Sequence, residues 1–358
     1  MNEFKSMNKI RHYFPGGNTP KGFVSYYSDV MPQAKAKRII ILKGGPGTGK
    51  STLMKSVAAK LAAQGFDLEI LHCSSDSDSL DGVAAQDLGV WILDGTAPHV
   101  VDPIHPGAVD EIVNLGAYWD ESKIVLHKSD IMASTAKISE HFASAYRYLS
   151  AAGIVQEQIE SNYRKVTDNA GVRKESALLF ERLAYCEAQN AGAQRSGFLS
   201  AFTPSGVVSY AKTYIDNAKE TYFICARDAY NAGDFFDRLL LYILDYGLDA
   251  HVFYCPMSPN MRIEHIYIPQ TEQFFTIESA EHSHNTHIVD LNQYADTQKL
   301  PQTAIADIET KNLLTDRALA ALAMAKAEHD VLESYYAPYM DFSHMTEIAD
   351  AVVEKFLC

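Results

Sequence analysis

Short apolar runs in this chain are followed by longer segments in which apolar residues recur every three or four positions. The run RIIILK precedes a glycine-rich stretch, and LGVWILDG is a second run of the same kind. Both are typical of strands buried on both faces of a parallel sheet. The segment STLMKSVAAKLAAQG has helical spacing and ends at Gly65. This order predicts an α/β fold with mostly parallel sheets.

The pattern occurs twice. NTPKGFVSYY, which starts at Asn18, matches FTPSGVVSYA, which starts at Phe202, at an offset of 184 residues. Arg11 aligns with Arg195, and Phe14 aligns with Phe198, at the same offset. The order of the matches predicts an internal duplication.

Each half then becomes helical, with Ala-rich segments of three- and four-residue spacing. We therefore predict two tandem P-loop NTPase-like lobes, each with its own helical extension. Residues 1–186 form the first lobe and residues 187–358 the second.

The stretch between the first strand and its helix satisfies G-x-x-x-x-G-K-[ST], a phosphate-binding loop. Glycines let successive backbone N–H groups turn towards phosphate, and the helix N-terminus adds partial positive charge. The motif predicts that Lys50 reaches the β- and γ-phosphates and that Ser51 ligates Mg²⁺. The residues predicted to hold the nucleotide are Gly44, Gly45, Pro46, Gly47, Thr48, Gly49, Lys50, Ser51 and Thr52.

Asp94 ends the second apolar run, where a carboxylate can support the Mg²⁺ ion together with Ser51. No Glu follows Asp94, so the adjacent acid that often polarises an attacking water is absent from the sequence. The alternative interpretation of Asp94 is an ordinary residue that ends a strand or starts a turn.

Two other stretches could supply a catalytic base. HCSSDSDSLDG follows a strand and carries Asp76, Asp78 and Asp81, and the carboxyl ends of strands are where open α/β sheets bind ligands. Thr96 and His99 follow Asp94. The alternatives are a solvated acidic loop and a histidine that anchors its loop.

ATP with Mg²⁺ is the expected ligand. Guanine readers often carry N-K-x-D after a strand, and the nearest string, HKSD at 127–130, lacks the Asn.

The second half has lost the motif. DAYNAGDFF (Asp228–Phe236) lies opposite the glycine-rich loop, so that Asp234 replaces the lysine and Phe235 replaces the serine. A carboxylate repels phosphate and a phenyl ring cannot ligate Mg²⁺, which predicts no Mg-nucleotide site in this half.

Two further sets of residues are weaker candidates. Arg195, Arg227 or Arg262 could act as an internal arginine finger, although surface ion pairs are the simpler interpretation. His282, His284 and His287 could bind a transition metal, although their spacing fits no standard site.

Charge and composition exclude several classes of protein. The net charge is −14, of which the second half carries −13, and this argues against nucleic-acid partners. The longest aliphatic run, LLLYIL, is far too short for a membrane span, and the N-terminus lacks a signal-peptide core. Five cysteines without a CxxC favour free thiols and a cytoplasmic location.

The motifs NTPKGFVSYY, LKGGPGTGKSTLMK, HCSSDSDSLDGV and LDGTAPHVVDPIHPG resemble a family of duplicated P-loop proteins from Gram-positive bacteria. Its members are described only broadly, as ATPases or nucleotide kinases. The resemblance covers most of the chain and implies ATP binding. Some relatives have an intact loop in both halves, and this sequence departs from them in the second.

Three functions stay open from the sequence. The first is an ATPase whose nucleotide state changes its contacts with the degenerate half. The second is a kinase for a small molecule or nucleotide, with the acceptor near the acidic loop. The third is a nucleotide-dependent switch with negligible turnover that binds a protein partner through the second half.

Overall fold

The structure is a computed structural model that describes residues 8–31, 33–96, 100–183, 185–186, 190–226, 232–279 and 285–358. Among the described residues no helix combines the length and apolar character needed to cross a bilayer. Two six-stranded sheets with flanking helices make up the fold, which confirms the α/β prediction.

The first sheet is built by strands of the first half. The strands up to residue 114 are β1 (Ile10–Tyr13), β2 (Gly16–Thr19), β3 (Gly22–Ser25), β4 (Arg38–Lys43), β5 (Leu68–His72), β6 (Leu80–Ala85), β7 (Val90–Asp94) and β8 (Asp110–Asn114). The sheet order is β1-β5-β6-β7-β4-β8, and β2 pairs with β3 in a separate hairpin. The pairings on either side of β6 are antiparallel and the other three are parallel.

The second sheet repeats the first. Its half contributes β9 (Gln194–Gly197), β10 (Ser200–Thr203), β11 (Gly206–Ser209), β12 (Glu220–Cys225), β13 (Ala250–Tyr254), β14 (Ile263–Ile268), β15 (Gln273–Thr276) and β16 (Thr286–Asp290). The order is β9-β13-β14-β15-β12-β16, with antiparallel pairings again on either side of the third strand. Order and orientation therefore agree strand for strand, as a duplication predicts.

The helices follow the same plan. Those of the first half are α1 (Tyr27–Val30), α2 (Lys50–Ala63), α3 (Glu121–Ile124), α4 (Lys128–Val166) and α5 (Asn169–Leu183). Those of the second half are α6 (Ala211–Ile215), α7 (Gly233–Asp245), α8 (Ala304–Ser334) and α9 (Met345–Leu357). The long helices α4 and α8 pack side by side and run in opposite directions, since His127 lies against Tyr335 while Lys137 pairs with Glu328.

A shared core joins the two sheets. Tyr13, Ile41 and Trp91 from the first sheet, Phe253 from the second sheet and Tyr214 from α6 belong to one cluster of fully buried side chains. Burial of so much aromatic and aliphatic surface makes this interface part of the core rather than a loose contact between independent lobes.

The terminal helices are exchanged between the halves. From the second half, α9 inserts Val352 and Phe356 into the core beneath α2, while α5 of the first half places Val172 and Leu179 against α7. The predicted boundary at residues 186 and 187 stays a prediction, but the packing crosses it in both directions. The helical segments predicted after the sheet of each half are present in both halves, as α4 and α5 and as α8 and α9.

Candidate functional site

A glycine-rich loop connects β4 to α2. Gly44, Gly47 and Gly49 have φ values of 150°, 68° and 82°, which residues that carry a Cβ atom rarely adopt. Thr48 Oγ1 donates to the Gly45 carbonyl at 2.9 Å and holds the turn closed. The backbone therefore curls tightly directly before the first turn of α2, where unpaired N–H groups point outwards.

Lys50 is the first residue of α2 and is folded over the loop. Its Nζ donates to the carbonyls of Gly44 and Gly45, at 3.0 and 2.9 Å, and lies 3.6 Å from Asp94 Oδ2. The lysine side chain is only 12% exposed. The positive charge of the ammonium group therefore lies at the loop. An anionic ligand can replace the two carbonyl groups as its hydrogen-bond partners.

Asp94 lies beside the loop because β7 is the parallel neighbour of β4, with Leu42 opposite Asp94 in the register. Thr96 donates to Asp94 Oδ1 through its backbone N–H at 2.9 Å and its hydroxyl at 2.5 Å. Thr96 therefore orients the carboxylate so that Oδ2 faces Lys50. His99, the other candidate in this stretch, lies outside the described residues.

Ser51 follows Lys50 and its Oγ accepts a hydrogen bond from the Leu80 backbone N–H at 3.0 Å. One lone pair of the hydroxyl stays available. A serine hydroxyl and an aspartate carboxylate are oxygen ligands of the kind Mg²⁺ prefers, so Ser51 and Asp94 fit the predicted metal. The positive-φ glycines and the lysine fit a polyphosphate for the reasons given above. Pro46 is half-buried and Thr52 exposed.

The three acidic residues of the HCSSDSDSLDG stretch fall into two places: Asp76 and Asp78 share one turn, in which Asp76 Oδ1 accepts from the Asp78 backbone N–H at 3.2 Å, and Asp81 lies on the strand that follows. Asp76 accepts from Ser79 Oγ at 3.0 Å and lies 3.5 Å from Lys326 Nζ of α8. Asp78 is exposed, and its carbonyl oxygen accepts from Lys55. Asp76 and Asp78 therefore belong to a turn bound by lysines.

Asp81 lies on β6, buried at 3% exposure. It precedes Gly82, the first residue of β6 that pairs with β7, and sits where the register of β6 against β5 shifts between Gly82 and Leu80. Tyr27 lies at the same point: burial raises the pKa of its hydroxyl well above the usual value, and the charges of Asp81, Cys73 and Asp94 raise it further. Of the three acids, Asp81 is thus the one that shares the surroundings of Tyr27 with Asp94.

Tyr27 was missed from the sequence. Its signal was the comparison of the repeats, since VSYY of the first half becomes VSYA in the second and Ala211 replaces Tyr27. The second half lacks both the glycine loop and a tyrosine at this position.

The second half covers the outer face of the glycine loop. A Cβ added at Gly47 would lie 3.3 Å from both Ala337 and the Glu333 carbonyl oxygen, and one added at Gly49 would lie 3.3 Å from the Phe342 ring. These residues belong to the end of α8 and the connection from α8 to α9 (335–344), which we call the covering segment. Glycine is required here by the backbone conformation and by this close approach together.

In the second half, the residues that align with Ser51 and Thr52 belong to the hydrophobic core. Phe235 and Phe236 are fully buried in the cluster beneath the second sheet. Asp234 pairs with Arg238 on the same helix at 3.1 Å. Residues 227–231 lie outside the described part of the chain. In the described part of this loop, aromatic packing occupies the positions of Ser51 and Thr52.

The candidate arginine fingers have structural partners. Arg195 makes a buried bidentate ion pair with Glu69 across the interface of the sheets. Burial alone raises the pKa of Glu69, but the Arg195 guanidinium outweighs it and the pKa is lowered. Arg262 pairs with Glu160 and Glu264, both at 3.1 Å. Arg227 is not among the described residues.

The remaining candidates do not form sites in the described chain. His287 stacks on Tyr222 with ring centroids 4.7 Å apart, while His282 and His284 lie outside the described residues. The HKSD string runs into α4, so it is helical rather than a loop that could read guanine.

No protein-family model, curated protein or solved structure matches this chain. The resemblance to duplicated P-loop proteins therefore rests on the motifs quoted above.

Proposed function

We propose that the protein is a Mg²⁺-dependent P-loop protein that binds ATP in its first half and hydrolyses it. The observation that carries the proposal is the meeting of three parts: a glycine loop with three positive φ values, Lys50 at the first position of the following helix, and Asp94 on the parallel neighbouring strand, 3.6 Å from Lys50. Together the three parts match the arrangement by which a phosphate-binding loop holds a polyphosphate and its metal ion.

The residues have distinct roles in this proposal. Backbone N–H groups of the loop and the first turn of α2 donate to phosphate oxygens. Lys50 exchanges its hydrogen bonds to Gly44 and Gly45 for the β- and γ-phosphates. Ser51 and Asp94 would hold Mg²⁺, which would supply positive charge to the phosphate oxygens. Thr96 keeps the Asp94 carboxylate in one orientation.

The base that activates water is assigned to the acidic residues near Asp94 or to His99, as the sequence suggested. Asp81 is the preferred candidate among them because it and Asp94 both act on the buried hydroxyl of Tyr27. Asp76 and Asp78 lie on the turn that precedes β6 and are reached by Lys326 and Lys55. They are better placed to hold a polar acceptor than to touch a water beside Asp94.

A kinase is the second candidate, and one observation favours it. A Cβ added at Gly95 would lie 2.4 Å from Ile41 Cγ2, so the packing leaves no room for an acid directly after Asp94. A site that cannot carry the usual water-polarising residue is suited to a substrate hydroxyl as acceptor.

The test is ADP release from Mg·ATP with and without a panel of metabolites, for the wild type and Lys50→Ala. An ATPase releases ADP without an added acceptor, and Lys50→Ala lowers the rate by about a hundredfold. The control is Lys212→Ala, which changes a lysine 81% exposed in the second half. Release that depends strictly on an acceptor establishes the kinase. ATP binding without any release supports the switch, and unchanged release by Lys50→Ala contradicts the proposal.

A further inference from the structure

A groove of about 570 Å³ lies next to the glycine loop. Its size is within the range of small-molecule sites. The phosphate chemistry described above uses none of its side chains. The lining residues are Trp119, Glu121, Ser122, Ile124, Val125 and Tyr336.

The two aromatic residues connect the groove to the loop. A Cβ added at Gly45 would lie 3.1 Å from Trp119 Cζ3 and 3.7 Å from Tyr336 Cε1. The two rings are tilted by 39° with centroids 5.8 Å apart, and both are half-buried. Because the rings contact each other, a planar ligand stacks on their open faces rather than between them.

The rest of the lining matches a flat ligand with a polar edge. Ile124 is half-buried and Val125 is 60% exposed, so apolar surface is available on the α3 side. Glu121 can accept hydrogen bonds from an exocyclic amino group, and the Ser122 hydroxyl can donate or accept. Stacking on aromatic rings with hydrogen bonds at the edge is the ordinary way in which proteins bind nucleobases.

We propose that this groove receives the base of the nucleotide whose phosphates the glycine loop holds. The inference rests on the proposed function and adds a role for the second half. Tyr336 belongs to the covering segment of the second half and Trp119 to the first, so the nucleotide site is complete only when both halves are assembled. In this proposal the second half, which lacks a phosphate-binding motif of its own, contributes Tyr336 to the nucleotide site of the first half.

The experiment compares two ligands that differ only in the nucleoside. Mg·ATP and magnesium tripolyphosphate are titrated into the full chain and into Trp119→Ala, Tyr336→Ala and Lys50→Ala. The matched control is Tyr148→Ala, which removes a tyrosine 37% exposed on α4. We expect Trp119→Ala and Tyr336→Ala, the two groove variants, each to bind ATP about tenfold more weakly than the wild type. Their affinity for tripolyphosphate should equal that of the wild type. Lys50→Ala weakens the binding of both ligands, and Tyr148→Ala of neither.

Other results overturn the inference in ways that can be told apart. If ATP affinity is unchanged in both groove variants, the base binds elsewhere although the proposed function stands. If ATP and tripolyphosphate affinity fall together, the aromatic residues only support the loop. If the wild type binds neither ligand, the proposed function fails and takes this inference with it.

Tryptophan fluorescence gives an independent readout. The chain has two tryptophans, and Trp91 is buried at 1% exposure, so Trp119 is the one that a ligand in the groove can contact. ATP should change the emission of the wild type and tripolyphosphate should not. Equal changes with both ligands contradict stacking on Trp119.

Discussion

Phe14 and Phe198 hydrogen-bond to each other's backbone in both directions, with N–O distances of 2.9 and 3.0 Å. They are equivalent positions of the two repeats, 184 residues apart. A residue that pairs reciprocally with its own counterpart lies on a local twofold axis between the halves. Asn18 Nδ2, which donates to the carbonyl of its counterpart Phe202 at 3.0 Å, lies near the same axis.

The exchange of terminal helices makes the core beneath α2 depend on the second half. Phe356 of α9 is 5% exposed in that core, whereas the adjacent Leu357 is 44% exposed. Phe356→Ala should lower the free energy of unfolding by about 3 kcal/mol, because it removes a buried ring. Leu357→Ala should change it by about 0.5 kcal/mol or less. Urea denaturation measures both, and equal effects would contradict the exchange.

The degenerate loop should contribute to stability and not to nucleotide binding. Phe235 is fully buried where Ser51 stands in the first half, so Phe235→Ala should cost about 3–5 kcal/mol in unfolding free energy. The affinity for Mg·ATP should stay at the wild-type value below the melting transition. Leu241→Ala, 62% exposed on the same helix, is the control with little effect on either quantity. A loss of ATP affinity in Phe235→Ala at a temperature where it is folded would assign nucleotide to this half.

His72 should make stability sensitive to acid. Burial lowers its pKa from 6.5 to about 4, while its imidazole contacts His12, the Ser77 carbonyl and the Tyr210 hydroxyl. The unfolded chain therefore binds a proton between pH 6.5 and 4 that the folded protein does not, and stability falls as the pH falls through this window.

Between pH 6.5 and pH 4, the free energy of unfolding of His72→Gln should fall by about 1–3 kcal/mol less than that of the wild type. This difference does not depend on the stability of the variant at neutral pH. Denaturation at several pH values gives both slopes. His329→Gln, whose side chain is 41% exposed, controls for the substitution. Parallel profiles for His72→Gln and the wild type would contradict the account, because they would show that folding does not lower the pKa of His72.

Local signals predicted the parts of the site that lie close together in sequence. The strand, the glycine loop, Lys50 and Ser51 occupy consecutive positions, and the apolar run that ends in Asp94 predicts the strand that pairs with β4. The replacement of Ser51 by Phe235 was visible from the repeat offset, and its burial agrees with the loss of the motif.

Features that depend on long-range packing were not predicted. Asp81 of β6 and Asp94 of the antiparallel strand β7 both act on the buried Tyr27, which a hydrophobic pattern cannot reveal because register is set by the neighbouring strand. The covering segment lies almost 300 residues from the glycine loop in the chain. The position of α9 on α2 was hidden for the same reason: an amphipathic helix shows which face it buries, but not against which partner.

The central claim is that one of two duplicated loops still binds nucleotide, and calorimetric titration of Mg·ATP into the full chain tests it most directly. We predict one ATP per chain for the wild type and for Lys212→Ala, and no measurable binding for Lys50→Ala. A stoichiometry of two, or a Lys50→Ala variant that binds ATP like the wild type, would contradict the claim.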